Sequence, residues 1–266
     1  MNVANVGPLK VIQWATGGVG RVAIENVLDH PDLELVGCWV RSADKNGRDV
    51  GELIGGEPIG VTATSNAEDL LAQDADCVMY SPLLANDDEV KTILRSGKNV
   101  VTPIGWVYPD LDNPKVSAVA DAARQGGVTL HGSGIHPGGI IERFPMMVST
   151  LSSKITHVRA EEFHDIRTYN SPDVVRHFMG FGGSADDAMH GPMAGILSSG
   201  FKMSVRMVAD YLGFAVDPQI TTTQEVALAT RDIESDVLPI AAGMVAARRF
   251  RWDALVDDEP VITAPR

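Results

Sequence analysis

Residues Lys10–Ala23, KVIQWATGGVGRVA, decide how this chain folds. The stretch opens on an apolar run, Lys10 to Trp14, that reads as a strand. Gly17, Gly18 and Gly20 then make a tight turn, and beyond it Val19, Val22, Ala23, Val27 and Leu28 recur at helical spacing. Strand, glycine turn and helix in succession is the setting in which such glycines hold a dinucleotide. The glycines let the backbone approach a pyrophosphate, and the free N–H groups at the helix start donate to it with the positive end of the helix dipole behind them. Ala23 supplies the small residue that lets the helix lie close on the strand. Thr16, Gly17, Gly18, Val19 and Gly20 are therefore the first candidate cofactor residues.

Working outward, Glu34–Val40 is a β-rich run and reads as the second strand. It ends in Arg41-Ser42, with Lys45 close behind. A dinucleotide site that prefers NAD places an acidic residue near this position to bind the ribose hydroxyl. An arginine and a hydroxyl suit a 2′-phosphate instead, because the guanidinium binds phosphate bidentately. Arg41 and Ser42 thus predict NADP, with NAD as the alternative that the nearby Asp44 favours. Further strands are read at Val61–Thr64, Asp76–Ser81, Asn99–Thr102 and Val128–His131. Helices are read at Ala67–Ala72, Asp87–Ser96 (capped by Asn86 and stopped by Gly97) and Pro114–Gln125. Strands that alternate with helices imply an α/β, doubly wound parallel sheet, whose ligands sit beyond the carboxyl ends of the strands. Ser81, Pro82 and Thr102 join the candidate cofactor residues on that ground.

The pattern changes near residue 134, so two domains are expected, 1–134 for the dinucleotide and 135–266 for substrate and dimerisation. In the second, Ile140–Leu151 and Met189–Leu212 read as helices, the latter interrupted by Gly195 and Gly200. Ile155–His164, Ile166–Tyr169, Ile220–Thr230, Gly243–Trp252 and Pro260–Thr263 read as strands, and Asp173–Gly183 as irregular. Strands without intervening helices predict an α+β domain on a mixed or antiparallel sheet.

The 266 residues carry 35 acidic against 22 basic side chains, a net charge of −13 that argues against nucleic acid or an anionic membrane as partner. No apolar run reaches the length of a membrane span, and MNVANVGPLK lacks the layout of a signal peptide. Cys38 and Cys77 fall in expected strands without a CxxC neighbour, as small buried residues of a reducing cytoplasm do. The seven histidines form no HExxH or similar cluster, so no metal is expected, and a GxSxG elbow and a P-loop lysine are both missing.

Hydride transfer needs a proton donor near the oxygen or nitrogen that gains negative charge. His136, in the glycine-rich GSGIHPGG segment past a strand end, is the leading candidate, since a histidine there is poised to titrate near neutral pH. Glu142, on the following helix, is a second catalytic candidate, with a solvated surface charge as its plain alternative. His131 reads as a packing residue. Trp106, His164 and Tyr169 are the candidate substrate contacts, and Ile104, Met146 and Phe178 give the surroundings an apolar tone.

Together WATGGVGRVAI (14–24), ELVGCWVRSADKNGRDVGEL (34–53), DCVMYSP (76–82), GKNVVTP (97–103) and GSGIHPGG (132–139) resemble the dihydrodipicolinate-reductase-like family. Gly17-x-x-Gly20-x-x-Ala23 is the glycine spacing of those reductases. Within the family the resemblance is to the branch of 2,4-diaminopentanoate dehydrogenase and native amine dehydrogenase. It implies a Rossmann domain, a smaller αβ domain, a nicotinamide cofactor and a homodimer. Two departures stand out. The acidic residue that holds amine or imine after the GKNVVTP-like strand in the amine dehydrogenases is absent from Ile104-Gly105-Trp106, and relatives are expected to continue for several elements past Arg266. The expected function is an oxidoreductase, NADPH-preferring, acting on a small carbonyl, imine or amine. A nucleotide-binding protein of the same fold without catalysis is the alternative, and a third reading has a partner subunit completing the cleft.

Overall fold

The computed structural model describes residues 7–169 and 171–266. The N-terminal segment read above for a signal layout lies, through residue 6, outside the described residues. The chain divides between Gly134 and Ile135 into two compact units.

The first unit alternates strand and helix in chain order: β1 (Leu9–Trp14), α1 (Gly18–Asp29), β2 (Leu33–Trp39), α2 (Val50–Leu53), β3 (Ala63–Thr64), α3 (Ala67–Leu71), β4 (Cys77–Tyr80), α4 (Asp87–Arg95), β5 (Asn99–Thr102), α5 (Pro114–Gly126) and β6 (Leu130–Gly132). The six strands are parallel in the order β3-β2-β1-β4-β5-β6. The order reverses between β1 and β4, the switch point at which doubly wound sheets take their ligands. Apolar side chains fill both faces. Ile12, Val78 and Val100 pack with Val90, Ile93 and Leu94 of α4, while Val11, Leu35 and Cys38 pack with Ile24 and Val27 of α1. Trp14 and Trp39, paired in register, stack with ring centroids 4.8 Å apart. Burial pushes the Cys38 thiol up to about 12, so it is an inert core residue.

Local chemistry sets the helix ends. Asn66, Asn86 and Asn113 each accept backbone N–H groups as N-caps, Pro114 sits at the first position of α5, and Gly127 closes that helix in the left-handed region. One expectation about α1 is corrected. Its buried stripe is Gly20, Ile24 and Val27, whereas Val19, Val22 and Leu28 are exposed, so the helix is turned from the face read from the valines. Gly20 sits on that buried side because an added Cβ there would meet the Ala15 carbonyl just past β1.

The second unit carries α6 (Arg143–Ser149), β7 (Val158–Arg159), α7 (Ala185–His190), α8 (Met193–Leu212), β8 (Thr221–Leu228), β9 (Val245–Val256) and β10 (Glu259–Pro265). Its mixed sheet has the order β7-β10-β9-β8, parallel only between β7 and β10. The long α8 lies on one face, with Phe201, Val205 and Val208 against Phe250, Trp252, Ala254 and Ile262. Trp252 is fully buried, stacks on Phe201 at 4.1 Å and donates its indole N–H to Ser198 Oγ at 3.0 Å.

Three expectations for this half are corrected. α8 is unbroken through Gly195 and Gly200, and at Gly200 a Cβ would lie 3.0 Å from the ring of Pro137, so that glycine admits a neighbour and leaves the helix intact. Ile155–His164 pairs as a strand only at Val158–Arg159. Ile166–Thr168 is a 3₁₀ turn, because Asp165 accepts the Arg167 backbone N–H and offers the chain a local alternative to a ladder. Among the described residues no helix is long and apolar enough to cross a membrane.

Trp252→Ala removes the centre of this stack and is expected to lower the stability of the second unit by about 3–5 kcal/mol. Urea unfolding followed by circular dichroism checks this, and an unchanged midpoint would show that the α8–sheet core does not hold the unit together.

Candidate functional site

In the first unit the carboxyl ends of β1, β2, β4 and β5 converge. Ala15, just past β1, adopts φ 79°, an uncommon conformation for alanine. That turn aims its carbonyl at Gly20, where an added Cβ would meet Ala15 O at 2.2 Å. Gly20 is therefore a requirement of packing. Gly17 and Gly18 are different. Gly17 has an extended backbone (φ −73°, ψ −172°), and a Cβ at either position would meet nothing within 4 Å. Nothing in the chain itself requires glycine there, and a side chain would fill open space at the start of α1. No side chain caps that helix, whose first N–H groups have no intrahelical partner. Open space over bare N–H groups at a helix start fits a pyrophosphate. Val19, half a turn on, is exposed beside it.

A residue that the sequence reading missed holds this turn. Gln13, fully buried on β1, donates to Ala15 O at 2.8 Å and to Ser81 Oγ at 2.7 Å, tying the glycine turn to the end of β4 across the switch point. A polar residue inside an otherwise apolar strand was the available signal. Ser81 is buried by this bond, and Pro82 beside it is half-buried. Thr102 is fully buried with its hydroxyl accepting Ile104 N–H at 3.2 Å, so it shapes the turn after β5. Trp106 packs against the core of this unit and is placed by that contact.

At the end of β2, Arg41 is largely exposed. Its guanidinium lies 3.7 Å from Glu89 and 5.9 Å from the centre of the Trp39 ring, and exposed pairs of this kind hold a side chain only weakly. Ser42 donates to the Asp44 carboxylate. Lys45 reaches back to the glycine turn, where its Nζ donates to Thr16 Oγ1 at 3.0 Å, with Thr16 itself buried. Two cations thus flank this strand end, and the one nearer the turn is Lys45.

The second unit holds the titratable candidates. His136 is 5% exposed, edge-on to the Phe201 ring at 4.7 Å, with Nε2 2.6 Å from Glu162 Oε2. The carboxylate lies outside hydrogen-bond direction, so neither ring nitrogen has a hydrogen-bond partner among the described residues. Arg266 contacts the same Glu162 oxygen at 3.3 Å. Burial draws the imidazole below its ordinary range, against the pull of Glu162 and with a push from Arg266. Where a histidine poised to titrate near neutral pH was expected, the structure shows a buried ring drawn toward its neutral form.

For Glu142 it is the plain alternative, a solvated surface charge, that is corrected. Glu142 is fully buried at the start of α6, where one oxygen accepts Gly138 N–H at 2.9 Å and the other accepts the Ser204 hydroxyl. With both oxygens committed, it anchors the turn after His136 and is no solvated charge. His164 and Tyr169 are exposed, His164 at the rim of a cavity of about 350 Å³ within this unit. Among the described residues no group of three or more His, Cys, Asp or Glu is placed to hold a metal ion.

Residues 11–104 match the family model for the dihydrodipicolinate reductase N-terminus, and residues 140–265 that for the 2,4-diaminopentanoate dehydrogenase C-terminal domain. The chain is 33% identical to an amine dehydrogenase of Streptomyces virginiae over 270 residues, covering 96% of this chain and 73% of that one. It is 24% identical to the 2,4-diaminopentanoate dehydrogenase of Acetoanaerobium sticklandii, covering 94% and 73%. Among solved structures, an amine dehydrogenase from Mycobacterium smegmatis superposes with a TM-score of 0.81 at 20% identity, covering 97% of this chain and 78% of that one.

Two measurements follow from this geometry. Gly18→Ala is expected to keep or raise thermal stability, by up to about 1 kcal/mol, while weakening dinucleotide binding at least tenfold. Gly20→Ala is expected to lower stability outright. Equal dinucleotide affinity in Gly18→Ala and wild type would remove the ligand from the account of that glycine. For His136, the folded state depresses the pKa, so the unfolded state takes up more protons below about pH 6.5. Stability should be full above that pH and fall as pH drops below it, opposed by Glu162 and Glu142 and aided by Arg266. His136→Asn should flatten that fall in a pH series of melting temperatures.

Proposed function

Because the chain belongs to the dihydrodipicolinate-reductase-like dehydrogenases, in the branch of amine dehydrogenase and 2,4-diaminopentanoate dehydrogenase, we propose that it takes NADPH as cofactor and a small carbonyl, imine or amine as substrate. The observation that carries this reading is the open space over Gly17 and Gly18 at the start of α1. The backbone N–H groups from Gly17 to Gly20, with the Thr16 hydroxyl beside them, hold the pyrophosphate. Lys45 and Arg41 take the ribose 2′-phosphate. Lys45 already lies at the turn through Thr16, and Arg41 gives up only a weak, exposed contact to Glu89. When bound, the nicotinamide supplies or accepts the hydride.

This chain's own part in the chemistry is to hold a proton. A neutral His136 carries one N–H and one lone pair, both uncommitted among the described residues. Glu162 at 2.6 Å favours the imidazolium at the moment the ring gains a proton. In this reading Glu162 is the carboxylate beside the ring that holds the proton. The missing carboxylate of Ile104-Gly105-Trp106 favours a second reading, a nucleotide-binding protein without catalysis, since Trp106 stands in that loop as a packing residue.

The test is a fluorescence titration with NADPH and NADH, followed by turnover assays on ketones with and without ammonia. NADPH is expected to bind at least tenfold tighter than NADH. Lys45→Ala and Arg41→Ala are each expected to reduce that preference about tenfold, or about 1.4 kcal/mol, within the range of a charge-assisted hydrogen bond. Equal binding of the two cofactors would overturn the NADPH assignment. Tight binding with no turnover would select the non-catalytic reading.

A further inference from the structure

Three consecutive or alternate arginines lie on β9, and two of them meet a carboxylate. Arg249 pairs with Glu225 at 2.5 Å and Arg251 with Asp253 at 2.7 Å. Arg248, on the opposite face of the strand, has no carboxylate within ion-pair distance among the described residues. Its Nη1 donates to Met179 O at 2.6 Å, and its Nη2 to Ala188 O at 2.6 Å and Gln224 Oε1 at 3.0 Å. All three acceptors are neutral. Its Nε–H is buried and donates to nothing described. Of the five N–H groups of a guanidinium, three are used and two are left. The side chain is half-buried and lies over the Phe250 ring at 4.6 Å. Burial pulls its pKa down with no acid opposing it. A cation removed from water without a counter-charge is costly to keep.

Arg248 is among the residues that line the cavity of about 350 Å³ that lies wholly within the second unit. The volume is at the small end of the roughly 300–1,000 Å³ of small-molecule sites. Val175, Phe181, Leu238 and Ile240 give it apolar walls. Ser235 accepts the N–H groups of Val237 and Leu238, which leaves its own hydroxyl proton without an acceptor among the described residues. Arg167 and Asp165 also line the cavity, but they neutralise each other at 2.6 Å. Apart from His164 at the rim, the unbalanced charge of the lining is therefore that of Arg248, in a protein that is strongly acidic overall.

We propose that this cavity binds a small apolar carboxylate, with the carboxylate on Arg248 and its body among Val175, Phe181, Leu238 and Ile240. An amine of the same shape meets an unscreened positive charge there, and an alcohol leaves that charge unpaired. The inference does not depend on the dehydrogenase reading, since neither cofactor nor turnover enters it.

The experiment is calorimetric titration of the full chain, without cofactor, using hexanoate, 1-hexanol and hexylamine. Hexanoate is expected to bind at least tenfold more tightly than either analogue. Arg248→Met should reduce hexanoate to the level of hexanol. Because Arg248 also ties the carbonyls of Met179 and Ala188, Ala246→Met is the companion variant: it fills the cavity, leaves every hydrogen bond of Arg248 in place, and should abolish binding while the melting temperature is kept. Equal binding of the three probes, no binding of hexanoate, or wild-type hexanoate affinity in Ala246→Met would each overturn the proposal.

Discussion

The contact between the Ala15 carbonyl and the bare Cα of Gly20 is the constraint on which the first unit depends. It closes the passage from β1 into α1, and a single methyl group there would overlap the carbonyl. Two further features serve that contact. Ala15 accepts a left-handed backbone, a strained conformation kept only where the surroundings determine it. Gln13 spends a fully buried amide on the same carbonyl and on Ser81, so the two strand ends at the switch point move as one. α1 is then rotated to bury Gly20, Ile24 and Val27, and its start is left bare over Gly17 and Gly18. The open ground for a ligand is the other side of a closure that the fold requires.

Much of this was legible in the residues. The glycine turn, the alternation of elements, the Asn86 cap and the Gly127 stop are written in local chemistry, where one or two side chains decide the backbone. The rotation of α1 was not legible. Valines at helical spacing indicate an apolar face, but the glycine that sets the distance to the neighbouring strand has no hydropathy and overrides them. Gly200 shows the same point in reverse. In sequence it reads as a break in α8, whereas in three dimensions it is the place where Pro137 fits.

The candidate site was read less well, for a physical reason. Whether a titratable group is exposed or buried, and whether its partners are charged, depends on residues far away in sequence. Ser204 takes one oxygen of Glu142 from 62 positions away, and Glu162, whose N–H bonds Pro265 O on β10, lies beside His136. Residue type alone gave these groups their ordinary titration behaviour. Packing gave His136 a depressed one and gave both oxygens of Glu142 to partners within the chain.

The charged groups of this protein divide by what answers them. Glu142, Asp49 and Arg249 have their partners within the chain, and their charge is consumed by holding turns and strands together. Lys45 and Arg248 do not: each is held by neutral oxygens, as the buried Lys98 is by Leu71 O. An acidic chain has carboxylates to spare, with 35 of them in 266 residues. Leaving these cations without a paired carboxylate is therefore no shortage of acid. In the readings proposed above, that charge answers an anion from outside: a phosphate at Lys45 and a carboxylate at Arg248.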